Sequence, residues 1–237
     1  GEDVNSRDRN GRSLLYTACE NGHTAVVQTL LTNGADVNLC SIYAFSPLLV
    51  ACLQGHEDIV HVLLGNGADC NLSGFRDVTP LYAACREGHY TIVQMLIEKK
   101  VAINYLCDEN KISPLIAACL KCHKKVVEFL LQNKADVNLC NEDGETPLYV
   151  SSERGFLQIV RLLLQHGATV NTCNSSGCSP FFAACREGHR RIVKKLLQNG
   201  ADVNQCNHVG LSPLRVALMH GHQNIAHILR KNQNFKE

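Results

Sequence analysis

Residues Cys119-Leu120-Lys121-Cys122-His123 have the C-x-x-C-H spacing that attaches a c-type haem. The chain holds further reactive material: thirteen cysteines in all, and a His after a turn at His23, His56, His89, His123, His189 and His222. Asn71-Leu72-Ser73 and Asn174-Ser175-Ser176 match the glycosylation sequon. Taken alone, these would suggest a covalent cofactor, a metal centre or thiol redox chemistry. Their neighbours argue against it. Cys119 occupies a small position that recurs as Cys19, Cys52, Cys85 and Cys185, and His123 stands at a Gly-His position shared by most copies of the same pattern. Only Cys122 is left for the haem motif. A zinc site needs four converging ligands, and no second Cys/His pair stands at finger spacing. A catalytic His would not recur six times in register. No P-loop, G-x-G-x-x-G, G-x-S-x-G or paired carboxylates stand apart from the pattern. No catalytic residue, metal ligand or cofactor is expected.

The pattern itself is a repeat. Its clearest copy runs from Gly177 to Cys206, and its proline position recurs at Leu14, Pro47, Pro80, Pro114, Pro147, Pro180 and Pro213. The step is 33 residues, as from 14 to 47, except for 34 from 80 to 114. A fixed period of that size marks a solenoid. Within the unit, Ser179 is a good helix N-cap and Pro180 suits the first helical position. Phe181, Ala183, Ala184 and Cys185 give a short helix that a neighbour can approach closely, and Gly188 can end it in the left-handed conformation. Ile192, Val193, Leu196 and Leu197 place an apolar face on a second helix, with Arg190, Arg191, Lys194, Lys195 and Gln198 opposite. Gly200 stops it, and Ala201 to Gly210 is turn chemistry suited to a hairpin leading to Ser212-Pro213.

These residues resemble the ankyrin-repeat family, whose T-P-L-H-x-A motif appears here as Thr79-Pro80-Leu81-Tyr82-Ala83-Ala84 and Thr146-Pro147-Leu148-Tyr149-Val150-Ser151. The resemblance covers almost the whole chain. It implies an all-α repeat solenoid, a stack of helix-turn-helix units joined by β-hairpin loops. The family's His is absent: Tyr16, Leu49, Tyr82, Ile116, Tyr149, Phe182 and Arg215 stand there, so aromatic or aliphatic packing is expected in its place. Asn38, Asn71, Asn104, Asn138, Asn171 and Asn204 read as structural, although the resemblance permits their hydroxylation.

The expected organisation is one domain, 1–237, of seven repeats: about 8–40, 41–73, 74–107, 108–140, 141–173, 174–206 and 207–237. Residues 1–7 read as the tail of an upstream unit, and the last repeat as a C-terminal cap, with Arg215 and Arg230 facing outward and Gln233 to Glu237 frayed. Lys100 and Lys134 replace the glycine that stops the second helix, one residue is inserted in the third repeat, and Cys122 replaces the glycine before His123. The middle of the array is therefore its least regular part.

Twenty-three Lys and Arg against twenty-two Asp and Glu leave a formal charge of +1, which gives no global field to draw nucleic acid or an anionic membrane. No apolar run approaches the roughly 20 residues that cross a bilayer, and no signal peptide is visible. Equivalent cysteines of adjacent layers are expected about a helix-packing distance apart, beyond the roughly 7 Å Cα limit for a disulfide. They read as free thiols in a reducing, cytoplasmic setting.

What remains is surface. The resemblance implies that hairpin tips and the exposed side of the first helix line a concave groove for protein or peptide partners. Two tips are apolar, Ile42-Tyr43 and Phe75-Arg76, beside Arg9-Asn10, Glu109-Asn110, Glu142-Asp143, Ser175-Ser176 and His208-Val209. With Phe45, Val78 and Ile112 before the helix caps, and Leu53, Arg86 and Leu120 at the helix ends, they form one candidate patch across repeats two to four. The expected function is a monomeric, non-enzymatic scaffold binding a partner there. Two alternatives stand beside it: a thiol-based metal or redox module, and the targeting or regulatory segment of a larger enzyme, channel or ubiquitin-ligase subunit.

Overall fold

Seven Ser or Thr side chains start seven helices. Ser13, Ser46, Thr79, Ser113, Thr146, Ser179 and Ser212 each accept the N–H three residues on, at 3.0 to 3.2 Å. Such a cap contributes about 1 kcal/mol. Proline follows as the first helical residue in all but the first case. The computed structural model describes residues 3–233, which contain fourteen helices in seven antiparallel pairs. The pairs are α1 (Leu14–Glu20) and α2 (Thr24–Thr32), α3 (Pro47–Gln54) and α4 (Glu57–Gly65), and α5 (Pro80–Glu87) and α6 (Tyr90–Glu98). They continue with α7 (Pro114–Leu120) and α8 (Lys124–Gln132), α9 (Pro147–Glu153) and α10 (Leu157–Gln165), α11 (Pro180–Arg186) and α12 (Arg190–Leu197), and α13 (Pro213–Met219) and α14 (Gln223–Gln233).

The chain divides into two compact units, Gly1–Glu109 and Asn110–Glu237. In the first, α1, α3 and α5 pack side by side, with α2, α4 and α6 behind them; in the second, α7, α9, α11 and α13 do the same in front of α8, α10, α12 and α14. The small positions allow this close approach: Cys19, Cys52, Cys85, Cys119 and Cys185 are all fully buried. The second helices bury one apolar stripe, such as Ile192, Val193 and Leu196, and expose Arg190, Arg191 and Lys194. At the position of the missing family His, Tyr16, Leu49, Tyr82, Ile116, Tyr149 and Phe182 are buried, so packing has replaced the hydrogen-bonding group. Arg215, in the seventh repeat, is exposed there. The expected fraying of the chain end lies outside the described residues, apart from Gln233 at the end of α14.

Three kinds of hydrogen bond recur between neighbouring layers, and they explain residues that looked chemically active in the sequence. First, His56, His89, His189 and His222 place Nε2 at 3.2, 3.3, 2.8 and 3.0 Å from the carbonyls of Glu20, Leu53, Glu153 and Arg186 in the preceding repeat. Each ring lies over a glycine of that repeat with φ near +80°; a Cβ on Gly155 would sit 2.6 Å from the His189 ring. Second, Asn5, Asn38, Asn138 and Asn171 accept, through Oδ1, the backbone N–H of Asp36, Asp69, Thr169 and Asp202 at 2.8 to 2.9 Å. Third, six hairpin fingers close on themselves, as in Ser41 N–H to Phe45 C=O, and fingers donate one bond to the previous tip, as in Phe75 N–H to Tyr43 C=O at 2.9 Å. The fingers are turns and not strands: among the described residues β pairing is limited to isolated bridge residues, such as Arg7 with Ser13.

One layer of the first unit breaks the pattern. The alanine that follows the second helix is buried in four repeats (Ala68, Ala135, Ala168 and Ala201) and half-buried in another (Ala35), and its N–H returns to the helix, as Ala68 to Leu63 at 3.0 Å. Val101 stands there in the third repeat and makes no such bond, and Ala102 makes none to Asn71. The neighbouring Lys100 is left-handed, φ 59°, as the sequence implies, but it is not the cause: Lys134 has φ 66°, and the Ala135 N–H beside it still returns to Leu130 C=O at 3.0 Å. A β-branched side chain is wider than the alanine that fills this slot in other layers, which accounts for the missing bonds.

Candidate functional site

The fingers of the second and third repeats present the apolar surface. Ile42, Tyr43 and Phe75 are 60, 61 and 55% exposed, high values for side chains of their size. The Phe75 N–H bond to Tyr43 C=O sets the two fingers side by side, and their rings meet edge to face with centroids 6.5 Å apart. The Arg76 guanidinium lies 5.2 Å from the Phe75 ring centroid, and its Nε is 3.2 Å from Glu109 Oε1. Ile42, Tyr43, Phe75 and Arg76 are thus brought together by neighbouring tips.

The other residues of the expected patch take different roles. The Phe45 ring is half-buried and lies where a Cβ on Gly74 would be, so it packs neighbouring fingers on each other. Val78 is half-buried just before the Thr79 cap. Leu53 is half-buried at the end of α3, with its carbonyl against His89 Nε2. Arg86 is exposed, with Nε 3.7 Å from Glu87 Oε1. Ile112 and Leu120, both half-buried, belong to the second unit.

Backbone conformation adds a feature not read from the sequence. The turn residue at four finger tips is a left-handed glycine: Gly11, Gly144, Gly177 and Gly210, with φ from 70 to 76°. At the same place the second finger has Ala44 with φ 59°, the third has Asp77 with φ 59°, next to Arg76 with φ 60°, and the fourth has Lys111 with φ 53°. Non-glycine residues there cost about 1 to 2 kcal/mol each, and such outliers gather where a surface is used. The signal was present in the alignment of the tips, as Ala44, Asp77 and Lys111 against four glycines. Replacing Ala44→Gly is expected to stabilise the first unit by about 0.5 to 1 kcal/mol, after the entropy that glycine loses. Urea unfolding would measure it, and a loss of stability would contradict the strain.

All thirteen cysteines are free. Among the described residues no group of three or more His, Cys, Asp or Glu is placed to hold a metal, and no helix is long and apolar enough to cross a membrane. Burial raises the Cys19 and Cys119 thiols to about 12 and pushes Cys52, Cys85 and Cys185 well up.

Comparison with known proteins places these features in a family. A family model described as ankyrin repeats (three copies) matches residues 1–74, 72–139, 131–207 and 173–237. The crystal structure of the human ASB11 ankyrin repeat domain superposes with a TM-score of 0.80 at 32% identity, covering 87% of this chain and 92% of that one. Shorter stretches resemble ankyrin repeat protein OPG025 of monkeypox virus, 40% identical over 42 residues, and the mouse serine/threonine-protein kinase TNNI3K, 53% identical over 36. Those two matches cover 18 and 15% of this chain and span only 7 and 4% of the relatives.

Proposed function

Because the chain belongs to the ankyrin-repeat family, whose repeats are generally protein-interaction modules, we propose that it binds a partner protein segment on the adjoining fingers of its second and third repeats. One observation carries this placement. Ile42, Tyr43 and Phe75 stand more than half exposed on strained tips, where four of the other five fingers turn with glycine and one with Lys111. Exposed aromatics held by a rigid frame lose little entropy on binding, and aromatic and Arg side chains dominate interface hot spots. The Arg76 guanidinium, stacked at the edge of the patch, gives the partner a direction through a carboxylate or a carbonyl.

A random peptide library displayed on phage and panned against the chain tests this reading. Enriched peptides should carry aromatic or branched aliphatic anchors. Their affinity should fall about 100-fold for the Ile42→Ala/Tyr43→Ala/Phe75→Ala variant, the loss of two hot spots of about 1.4 kcal/mol each. The far-ultraviolet circular dichroism of the variant should not change, since these side chains are not in the core. Peptides that bind both proteins equally would sink the placement.

A further inference from the structure

A cavity of about 260 Å³ lies beside Val101 in the first unit. Its apolar wall comes from Leu81, Val101 and Tyr105, with Cys70 beside them, and none of its lining side chains is charged. It exceeds the roughly 150 Å³ that suffices for a benzene ring in an engineered apolar cavity. A charged guest would give up hydration for no countercharge, so the lining selects a neutral one.

The polar groups at the rim narrow the choice. Thr79 Oγ1 is engaged, accepting the Tyr82 N–H at 3.2 Å and lying 3.6 Å from Cys107 Sγ. The Asn71 side-chain amide and the Ala102 N–H are not: in four other layers the corresponding pair bond each other, as Asp69 N–H to Asn38 Oδ1 at 2.9 Å, and here they do not. An acceptor and a donor that do not bond each other thus stand beside an apolar hole, next to Val101. A carboxamide is complementary to them, with a C=O to accept from the Ala102 N–H and an N–H to donate to Asn71 Oδ1. We propose that the cavity is a binding site for a small neutral molecule that carries one apolar ring and one carboxamide, and that Val101 holds it open. The site shares no residue with the finger patch, so the two stand or fall separately.

Benzamide is the probe. Titrated against the ¹⁵N-labelled chain, it should give saturable shifts of the Ala102 amide and the Asn71 side-chain amide, with a Kd on the order of millimolar for so small a ligand. Benzoate, the charged analogue, should bind at least tenfold more weakly. Val101→Ala should let the segment return to the helix end, restoring both missing bonds; Tm should rise by about 3 °C, and benzamide shifts should disappear. Asn71→Ala should weaken benzamide about tenfold with Tm unchanged. Absence of saturable shifts, benzoate binding as well as benzamide, or binding undiminished by Val101→Ala would each overturn the proposal.

Discussion

Gly155→Ala should destabilise the second unit by about 3 kcal/mol, whereas Gly167→Ala, twelve residues on, should cost only about 1. Both glycines are left-handed, with φ 80 and 85°, so each substitution meets the same backbone penalty of about 1 to 2 kcal/mol, reduced by the lower entropy of the unfolded alanine chain. They differ in what a Cβ would touch. At Gly167 nothing lies within 4 Å; at Gly155 the Cβ would meet three atoms of the His189 ring at 2.6 to 2.9 Å. The ring cannot withdraw freely, because its Nε2 lies 2.8 Å from the Glu153 carbonyl. Moving it forfeits that bond, about 1 kcal/mol, and disturbs the contact between neighbouring layers. Adding His189→Ala to Gly155→Ala should therefore cost less than the sum of the two changes, the non-additivity expected of groups in contact. Denaturant melts of the four proteins measure this, and equal losses for Gly155→Ala and Gly167→Ala would show that the Gly-His pair does not couple the layers.

The second large effect concerns the thiols. Cys19, Cys52, Cys85, Cys119 and Cys185 are buried, and for Cys19 and Cys119 burial raises the thiol from 9 to about 12. Only the thiolate attacks a disulfide reagent. At pH 8 a rise of three units lowers the thiolate fraction about a thousandfold. Exposed Cys122, Cys140 and Cys206 should thus react with Ellman's reagent in a fast phase, and the five helix thiols about a thousandfold later, or only when the unit opens. In 6 M guanidinium all thirteen should react together. A fast native phase that includes the five buried thiols would revive the redox reading of the cysteine content.

The repeat made the architecture legible before the structure. Seven caps, the Pro that follows six of them, and the apolar stripes of the second helices are local signals, decided within one unit. The Gly-His and Asn positions were legible as structural because they recur in register; what they bond is set by the next layer, and the sequence pattern carried that only as a recurrence. The site was half legible. Ile42, Tyr43 and Phe75 stand out as apolar residues at tip positions, and they are exposed. Phe45 looked equivalent, yet it fills the space that Gly74 leaves, a contact between residues 29 apart that no spacing rule marks. Lys100 drew attention as a broken helix stop, but the consequential residue was its neighbour Val101, whose extra methyl groups matter only against a slot that alanine fills in other layers. Strain at Ala44, Arg76 and Asp77 was readable only by aligning tips.

The central claim is that the fingers of repeats two and three receive the partner, and photocrosslinking tests it most directly. p-Benzoylphenylalanine would be placed at position 43 in one protein and at position 209 in another, where Val209, 85% exposed on a finger of the second unit, supplies an equally accessible control. With a library-selected peptide present, irradiation should attach the peptide from position 43 and not from position 209. Attachment from position 209 alone, or equally from both, would contradict the account.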